Sequence, residues 1–209
     1  MKTILFDLDG TLIDSTSAIV NSFKEALKVL NLSVKSSKDI TKLIGYPLDK
    51  MFATLFVDKA GLAKEFIGIY RSFYVKIYLE QTTLLSGVKE ALKLGSSFAD
   101  LGIVTTKGAL TRNLIEHLGI DKFFKAVVTL DDVSKPKPDA EPILVALQRL
   151  SKSKNEAYMI GDTMLDVRAA KNAGITPLAL SCGYGDVNEL KKHCKMFRNV
   201  LEAVEFIRY

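Results

Sequence analysis

The chain has 209 residues, of which 48% are hydrophobic, and this is enough for one ample core or for a main domain carrying a smaller insert. Its net charge of +5 comes from 29 basic and 24 acidic residues. The basic residues are spread along the chain and form no block, which argues against a nucleic-acid-binding surface and favours at most a mild preference for small anionic molecules.

The sequence predicts a soluble, cytoplasmic protein. The chain begins with an apolar segment that lacks a charged leader and a cleavage site, and no apolar run approaches the length that spans a membrane. The two cysteines, Cys182 and Cys194, are too few for a disulfide framework and lack the spacing of metal ligands. We expect both to be free thiols.

The first predicted element is a buried strand from Lys2 to Phe6, and it stops at two carboxylates, Asp7 and Asp9, followed by Gly10. Residues two apart in an extended segment point to the same side, so both carboxylates would lie at the carboxyl end of the strand. Two adjacent anions repel unless a hard cation such as Mg²⁺ binds them or one carboxyl is protonated. Either arrangement suggests phosphate chemistry, although a solvated turn would look the same.

A helical block follows, over residues 14–82. Apolar residues at helical spacing predict a first helix that runs to about Leu30, with start signals at residues 14–16. The further predicted helices cover residues 38–44, 48–57 and 60–79.

Strands and helices alternate from about residue 84 onward. The predicted strands are 101–105, 126–130, 157–160 and 176–180, and the predicted helices are 88–94, 109–118, 139–150, 166–173, 187–192 and 200–207. This alternation predicts an α/β fold with a doubly wound, Rossmann-like parallel sheet, whose ligands bind outside the carboxyl ends of the strands. We expect a core domain of residues 1–13 and 83–209, with residues 14–82 inserted after the first strand as a small α-helical cap domain.

Polar residues also follow the later strands. Thr105 ends the second strand, and the loop after the third contains Lys135 in the segment Ser134-Lys135-Pro136-Lys137-Pro138-Asp139, where two prolines fix the backbone. The fourth strand ends at Gly161-Asp162, with Asp166 four residues later. Each signal alone is ordinary, since a helix cap or a surface linker would look the same. Their shared location at strand ends makes a common site the better interpretation.

In the order and spacing of these motifs, the chain resembles the haloacid dehalogenase (HAD) superfamily over essentially its whole length. The motifs are Asp7-Leu8-Asp9-Gly10-Thr11-Leu12, then Thr105, then Lys135 in its Lys-Pro-Lys-Pro context, then Gly161-Asp162-Thr163 with Asp166. With helices between the first two motifs, the chain is similar to the phosphoglycolate phosphatase and pyrophosphatase-like branch. The turn at residues 45–48 also looks like that branch.

The resemblance implies a phosphoryl transfer in two steps. Asp7 would attack phosphorus and become an aspartyl-phosphate, while Asp9 would protonate the leaving group and then take a proton from water. Mg²⁺ would be the cofactor, held by the Asp7 carboxylate, the Asp9 backbone carbonyl and Asp162. Asp166 would steady that metal site through a water molecule.

The resemblance also implies which groups bind the phosphoryl oxygens. Thr105 and Lys135 would contact them, beside the backbone N–H groups of Leu8, Asp9 and Thr106. Many relatives of the phosphoglycolate type have asparagine where this chain has Thr106, so the part of that side chain in choosing a substrate stays open.

A second set of residues would shape the site or read the substrate. Gly10 would let the chain turn sharply, and Thr11 would orient Asp9. Lys107 would either reach a second anionic group of the substrate or lie in solvent. In the predicted cap, Arg71 and Tyr46 are candidate substrate contacts, although such residues also serve packing and solubility.

The implied function is a Mg²⁺-dependent phosphatase acting on a small phosphorylated metabolite, with 2-phosphoglycolate as the first candidate and pyrophosphate as the second. A phosphomutase of the β-phosphoglucomutase kind shares the four motifs, but it would isomerise its substrate and not release phosphate. We expect no nucleic-acid or membrane partner, and either a monomer or a homodimer.

Two more distant alternatives are weaker. A phospho-receiver signalling domain also uses clustered aspartates, Mg²⁺, a threonine or serine and a lysine, but it is shorter and has no helical insert after its first strand. A dehalogenase of the same superfamily would work without a metal, and the second aspartate, Asp9, argues against it.

Overall fold

The computed structural model describes all 209 residues, which form a six-stranded sheet, a two-stranded ribbon and surrounding helices. The strands are β1 (Lys2–Phe6), β2 (Ile13–Asp14), β3 (Thr83–Leu84), β4 (Ala99–Val104), β5 (Phe124–Val128), β6 (Ala157–Gly161), β7 (Thr176–Leu180) and β8 (Lys195–Phe197). The α-helices are α1 (Thr16–Val29), α2 (Ser37–Thr41), α3 (Leu48–Leu55), α4 (Ala63–Ile77), α5 (Val88–Gly95), α6 (Thr111–His117), α7 (Glu141–Arg149), α8 (Met164–Ala173), α9 (Val187–Leu190) and α10 (Val200–Arg208). Short 3₁₀ helices cover Val57–Leu62, Asp121–Phe123 and Leu130–Asp132.

The six-stranded sheet has the order β5-β4-β1-β6-β7-β8, and every neighbouring pair in it is parallel. The predicted doubly wound parallel sheet is therefore confirmed. Strand order reverses between β1 and β6, because the chain builds outward on one side through β4 and β5 and then on the other through β6 to β8. Such a reversal opens a crevice at the carboxyl ends of the strands, where ligands of this fold class bind.

Helices cover both faces of the sheet, because side chains that alternate along β1 place apolar groups on both faces. Ile4 and Phe6 belong to the larger apolar core, whereas Leu5 points into a second core on the opposite face. Helices α5 and α10 pack together on the first face, and α7 and α8 pack on the second. A sheet buried on both faces leaves its strand ends as the place for polar chemistry.

The helical segment leaves the core after β2 and returns at β3. These two short strands pair antiparallel, with Ile13 opposite Leu84 and Asp14 opposite Thr83, so the exit and the return of the segment are tied together. Between them α1, α3 and α4 pack around stacked and tilted aromatic rings. Phe23 and Phe52 each lie 4.5 Å from Phe66 between ring centroids. We propose that residues 14–82 form a cap domain on the core of residues 1–13 and 83–209.

Four elements differ from the sequence prediction. β2, β3 and β8 were not predicted, because two or three residues are too few to show a periodic pattern. The predicted helix 60–79 is divided into a 3₁₀ helix over Val57–Leu62 and α4, and Lys59 has a non-helical backbone with φ of −125°. None of the helices combines the length and the apolar character needed to cross a membrane.

Candidate active site

Three carboxylates meet at the carboxyl ends of β1 and β6, and we call Asp7, Asp162 and Asp166 the carboxylate cluster. Their ligand oxygens lie within 4.8 Å of one another, and all three residues are buried. Lys137 is the one basic residue paired with them, and its Nζ lies 2.8 Å from Oδ1 of Asp7 and 2.6 Å from Oδ1 of Asp166. The cluster therefore holds an excess of negative charge away from solvent.

Burial, with a smaller contribution from the neighbouring carboxylates, raises the pKa of two of the carboxyls. Burial raises the pKa of Asp7 to about 7, with Lys137 opposing the rise and Asp166 adding to it. Burial also raises the pKa of Asp162 well above its usual value, and the neighbouring carboxylates of Asp7 and Asp166 contribute. Buried oxygen donors that carry more negative than positive charge fit a hard divalent cation such as Mg²⁺. The residues present are thus suited to the predicted cofactor.

Asp162 is held in place from the first motif and from the loop after β7. The hydroxyl of Thr11 donates to Oδ1 at 3.0 Å, and the backbone N–H of Tyr184 donates to Oδ2 at 2.8 Å. Gly10 has φ of +77°, and a Cβ at this position would collide with the Asp162 carboxylate, so glycine is needed for both reasons. The hydroxyl of Thr11, which was expected to orient Asp9, bonds instead to Asp162.

Asp166 is positioned by the start of α8. Its Oδ2 accepts hydrogen bonds from the backbone N–H of Thr163 at 3.0 Å and from the Thr163 hydroxyl at 2.8 Å, which forms a capping box. Its Oδ1 is left to accept from Lys137. The helix start thus fixes the direction in which Asp166 meets the cluster.

Asp9 does not join the carboxylate cluster with its side chain and instead pairs with Lys107. The Nζ of Lys107 lies 2.7 and 2.9 Å from the two Asp9 oxygens, and the hydroxyl of Ser15 also donates to Oδ1. Burial lowers the pKa of Lys107, but the Asp9 carboxylate more than offsets this, so the pKa lies above its ordinary value. Of the two alternatives for Lys107, a solvated side chain is excluded, because only 14% of it is exposed.

The structure brings Lys137, and not Lys135, to the carboxylate cluster. The Lys135 side chain lies at the surface, and the backbone N–H of this residue donates to Glu141 at 2.9 Å. Lys137 is 3% exposed and reaches Asp7. The sequence offers both lysines in the same Lys-Pro context, and only the path of the loop decides which one faces inward. We therefore transfer the proposed phosphoryl contact from Lys135 to Lys137.

The remaining predicted phosphoryl contacts lie at the ends of β1 and β4. Thr105 is buried directly after β4, and its hydroxyl accepts from the backbone N–H of Lys107 at 3.1 Å. The hydroxyl of Thr106 donates to the carbonyl of Gly45 at 2.8 Å and so joins this loop to the helical segment. The Leu8 side chain is fully buried, which leaves only its backbone for a ligand. Their contact with a phosphoryl group remains a proposal.

A cavity of about 390 Å³ opens beside Asp9, between the helical segment and the loop after β4. Both predicted cap residues, Arg71 and Tyr46, line it. Three tyrosines of the lining were missed by sequence reasoning, namely Tyr70, Tyr74 and Tyr78. Their rings stack with successive centroids 5.5 Å apart. The i, i+4 spacing of the three was the available signal, but it does not separate a cavity wall from ordinary packing.

A doubly wound parallel sheet with buried carboxylates at its strand-order reversal is typical of α/β proteins that bind their ligands at the carboxyl ends of the strands. The family model for haloacid dehalogenase-like hydrolases matches residues 4–180. The chain belongs to the haloacid dehalogenase-like hydrolases, and the resemblance drawn from the motifs is confirmed.

Individual relatives cover most of the chain. It is 43% identical over 176 residues to pyrophosphatase PpaX of Bacillus velezensis, covering 83% of this chain and 80% of that protein. A haloacid dehalogenase-like hydrolase from Streptococcus pneumoniae has a structure with a TM-score of 0.88 and 32% identity, covering 99% of this chain and 98% of that one. A predicted phosphoglycolate phosphatase from Haemophilus somnus has a TM-score of 0.89 at 24% identity, covering 99% and 97% of the two chains. The last likeness shows the fold alone.

Proposed function

We propose that the chain is a Mg²⁺-dependent phosphatase that hydrolyses a small phosphomonoester through an aspartyl-phosphate on Asp7. One observation carries the proposal: Asp7 is buried at the end of β1 among Asp162, Asp166 and Lys137, in a cluster with an excess of negative charge. Such a cluster costs stability by itself, and a bound cation and phosphoryl group would account for it.

In the first step, Asp7 attacks the phosphorus atom and the bond from phosphorus to the ester oxygen breaks. Asp9 gives its proton to the departing oxygen, and the contact between Asp9 and Lys107 has to loosen for this transfer. Asp7, Asp162 and the Asp9 backbone carbonyl would hold Mg²⁺, with Asp166 beside them. When bound, the ion would withdraw negative charge from the phosphoryl oxygens.

In the second step, water attacks the phosphorus of the aspartyl-phosphate. Asp9 takes a proton from this water, the bond between Asp7 and phosphorus breaks, and inorganic phosphate leaves. Lys137 and the Thr105 hydroxyl stabilise the charge that spreads over the phosphoryl oxygens in both transition states. Asp7 returns to its carboxylate form at the end of the cycle.

The substrate candidates are 2-phosphoglycolate and pyrophosphate. The first follows from the resemblance of the motifs and the helical segment, and the second is supported by the name of the relative from Bacillus velezensis. Both carry a second anionic group beside the phosphoryl group that is transferred. We further propose that the enzyme acts on a free phosphorylated metabolite.

The test is phosphate release from 2-phosphoglycolate, pyrophosphate and β-glucose 1-phosphate, with Mg²⁺ and then with EDTA. We expect release that requires Mg²⁺ and disappears in Asp7→Asn. Isomerisation of β-glucose 1-phosphate without phosphate release would instead identify a phosphomutase. Release that persists in Asp7→Asn would overturn the proposed chemistry.

A further inference from the structure

The cavity beside Asp9 is larger and more apolar than a second phosphate or a carboxymethyl group requires. Its volume of about 390 Å³ falls within the range of roughly 300–1,000 Å³ found for pockets that hold drug-sized organic ligands. Of its 21 lining residues, 13 are hydrophobic, so most of the surface would meet the leaving group through apolar contact. We call six of these residues the apolar wall: Ile44, Leu48, Met51, Tyr70, Tyr74 and Tyr78.

The charges on the cavity lining largely cancel. Lys107 is paired with both oxygens of Asp9 and becomes available to another anion only when this pair loosens. Arg71 and Asp131 are the other charged residues of the lining, and they carry opposite charges. A strongly anionic leaving group such as the second phosphate of pyrophosphate would therefore have to compete with Asp9 for its principal cation.

One polar group of the apolar wall has no partner inside the protein. The Tyr74 residue is 7% exposed and lines the cavity, and its buried hydroxyl makes no hydrogen bond of proper geometry, although Nζ of Lys107 lies 5.4 Å from the centroid of its ring. Buried hydroxyls are almost always paired, and an unpaired one costs free energy. A hydrogen-bonding atom of a ligand in this cavity would satisfy it.

Together these observations define a chemical class of substrate. We infer that, in place of the two candidates that the motifs and the named relative suggest, the chain prefers a phosphomonoester whose alcohol part is a bulky apolar group that also carries one polar atom for Tyr74. This inference rests on the proposed function, since it concerns the leaving group of the same hydrolysis. The bond from phosphorus to the ester oxygen breaks, and the apolar alcohol and inorganic phosphate are the products.

The first test is a series of n-alkyl phosphates from ethyl to hexyl, assayed with Mg²⁺. Their leaving groups have nearly the same intrinsic reactivity, so kcat/KM reports the contact made by the chain. Each buried CH₂ should raise kcat/KM by about fourfold. A flat or falling series, or a higher kcat/KM for pyrophosphate and 2-phosphoglycolate than for hexyl phosphate, would overturn the inference.

The series separates failure of the inference from failure of the proposed function. Phosphate release without dependence on alkyl length would remove only the apolar preference. If neither the series nor p-nitrophenyl phosphate gives Mg²⁺-dependent release, the proposed phosphatase function itself fails.

Two variants locate the preference on the apolar wall. Leu48→Asn should flatten the rise of kcat/KM with alkyl length to about half its slope or less, whereas Val57→Asn, at a residue 75% exposed outside the cavity, should keep the wild-type slope. Because the slope is measured within each variant, a general loss of activity cancels. Equal slopes in both variants would contradict the placement.

The Tyr74 hydroxyl is tested by exchange of one CH₂ for oxygen in the substrate. Tyr74→Phe should lower the kcat/KM ratio of 2-methoxyethyl phosphate to butyl phosphate by about fivefold, as the loss of one hydrogen bond predicts. Tyr78→Phe, on the same wall, should leave the ratio unchanged. An unchanged ratio in Tyr74→Phe would remove the hydroxyl from the proposal.

Discussion

The carboxylate cluster and the apolar wall are neighbouring regions in which burial has opposite effects. In the cluster, burial disfavours the charged forms, and it raises the pKa of Asp7 and Asp162. In the wall, burial of stacked rings such as Tyr70 and Tyr78 stabilises the fold. The cluster thus has an unfavourable charge that a cation and a phosphoryl group would relieve, whereas the packing of the wall, apart from the Tyr74 hydroxyl, is stable without a ligand.

This difference assigns the chemical step to the carboxylate cluster and the selection of the substrate to the apolar wall. The cluster is built from strand ends of the core, where backbone geometry fixes each carboxylate. The wall comes from the helical segment and meets the core through few polar links, among them the hydrogen bond from Thr106 to Gly45. Substitutions in the cluster should therefore change rates for all substrates alike, and substitutions in the wall should change their ranking.

The largest effect should come from Asp7→Asn. The amide is nearly isosteric but is a poor nucleophile, so kcat for every phosphomonoester should fall by about 10⁴-fold or more. The matched control is Asp58→Asn, at an exposed carboxylate of the helical segment, which should keep wild-type rates. Turnover near the wild-type rate in Asp7→Asn would contradict the assignment of the chemical step to the carboxylate cluster.

The next effect distinguishes the two lysines of one loop. Lys137→Ala removes the ammonium that lies 2.8 Å from Asp7, so kcat/KM should fall by about 10²–10³-fold. Lys135→Ala removes an exposed side chain and should stay within about twofold of wild type. Steady-state kinetics of the pair decide the assignment, and the reverse result would restore Lys135 as the phosphoryl contact.

Metal binding should appear as a change in thermal stability. Saturating Mg²⁺ should raise the Tm by about 5 °C or more, because it binds the folded cluster and offsets its charge. Asp7→Asn should have a higher Tm than wild type without metal and a smaller rise with Mg²⁺, since it removes one buried negative charge. Differential scanning calorimetry measures both, and a Tm that does not respond to Mg²⁺ would contradict the fit of the cluster to a cation.

The smallest effect concerns an ordinary ion pair outside the site. The hydrogen bond from Arg149 to Asp132, at 2.5 Å, holds the pKa of Asp132 at about 2, with further hydrogen bonds from Thr129 contributing. This stability is present above the usual aspartate pKa and is lost as pH falls toward 2. Asp132→Asn should lower the free energy of unfolding at pH 7 by about 1 kcal/mol or less, given the exposure of the pair.

Asp132→Asn and Asp7→Asn should have opposite effects on stability. Removal of the Asp132 carboxylate should destabilise the fold, whereas removal of the Asp7 carboxylate should stabilise the metal-free protein. Urea unfolding of wild type and Asp132→Asn between pH 7 and pH 3 measures the difference. It should shrink as the pH falls below about 4. A difference that stays constant over this range would show that the charge of Asp132 contributes nothing.

The sequence was sufficient for five of the six strands of the sheet and for the three residues of the carboxylate cluster. Asp7, Thr105 and Asp162 each lie at or just beyond the end of a predicted strand, and parallel strands bring their carboxyl ends to one edge. The contact of Lys137 with the cluster was not predicted, because the loop has two lysines in the same Lys-Pro context and no periodic pattern that shows which of them is buried. The hydrogen bond of the Thr11 hydroxyl was not predicted either, because its partner Asp162 is 151 residues away in the chain.

The apolar wall could be predicted least. Its residues come from the turn before α3, from α3 and α4, and from the residue directly after α4, and each looks like a core residue of an amphipathic helix. Only the packing of these helices against the loop after β4 shows that Tyr74 faces a cavity and that its hydroxyl has no partner. Selection of a substrate therefore depends on tertiary contacts that local patterns do not encode.

The most direct test of the account is to trap the phosphoryl group on the protein. The enzyme is mixed with a phosphomonoester and Mg²⁺, quenched during turnover and treated with borohydride, which reduces an acyl phosphate to the alcohol. Peptide mass spectrometry should then find homoserine at position 7, and nothing at this position in enzyme treated without substrate. Steady phosphate release with no modification at Asp7, or with modification of another carboxylate, would contradict the central claim.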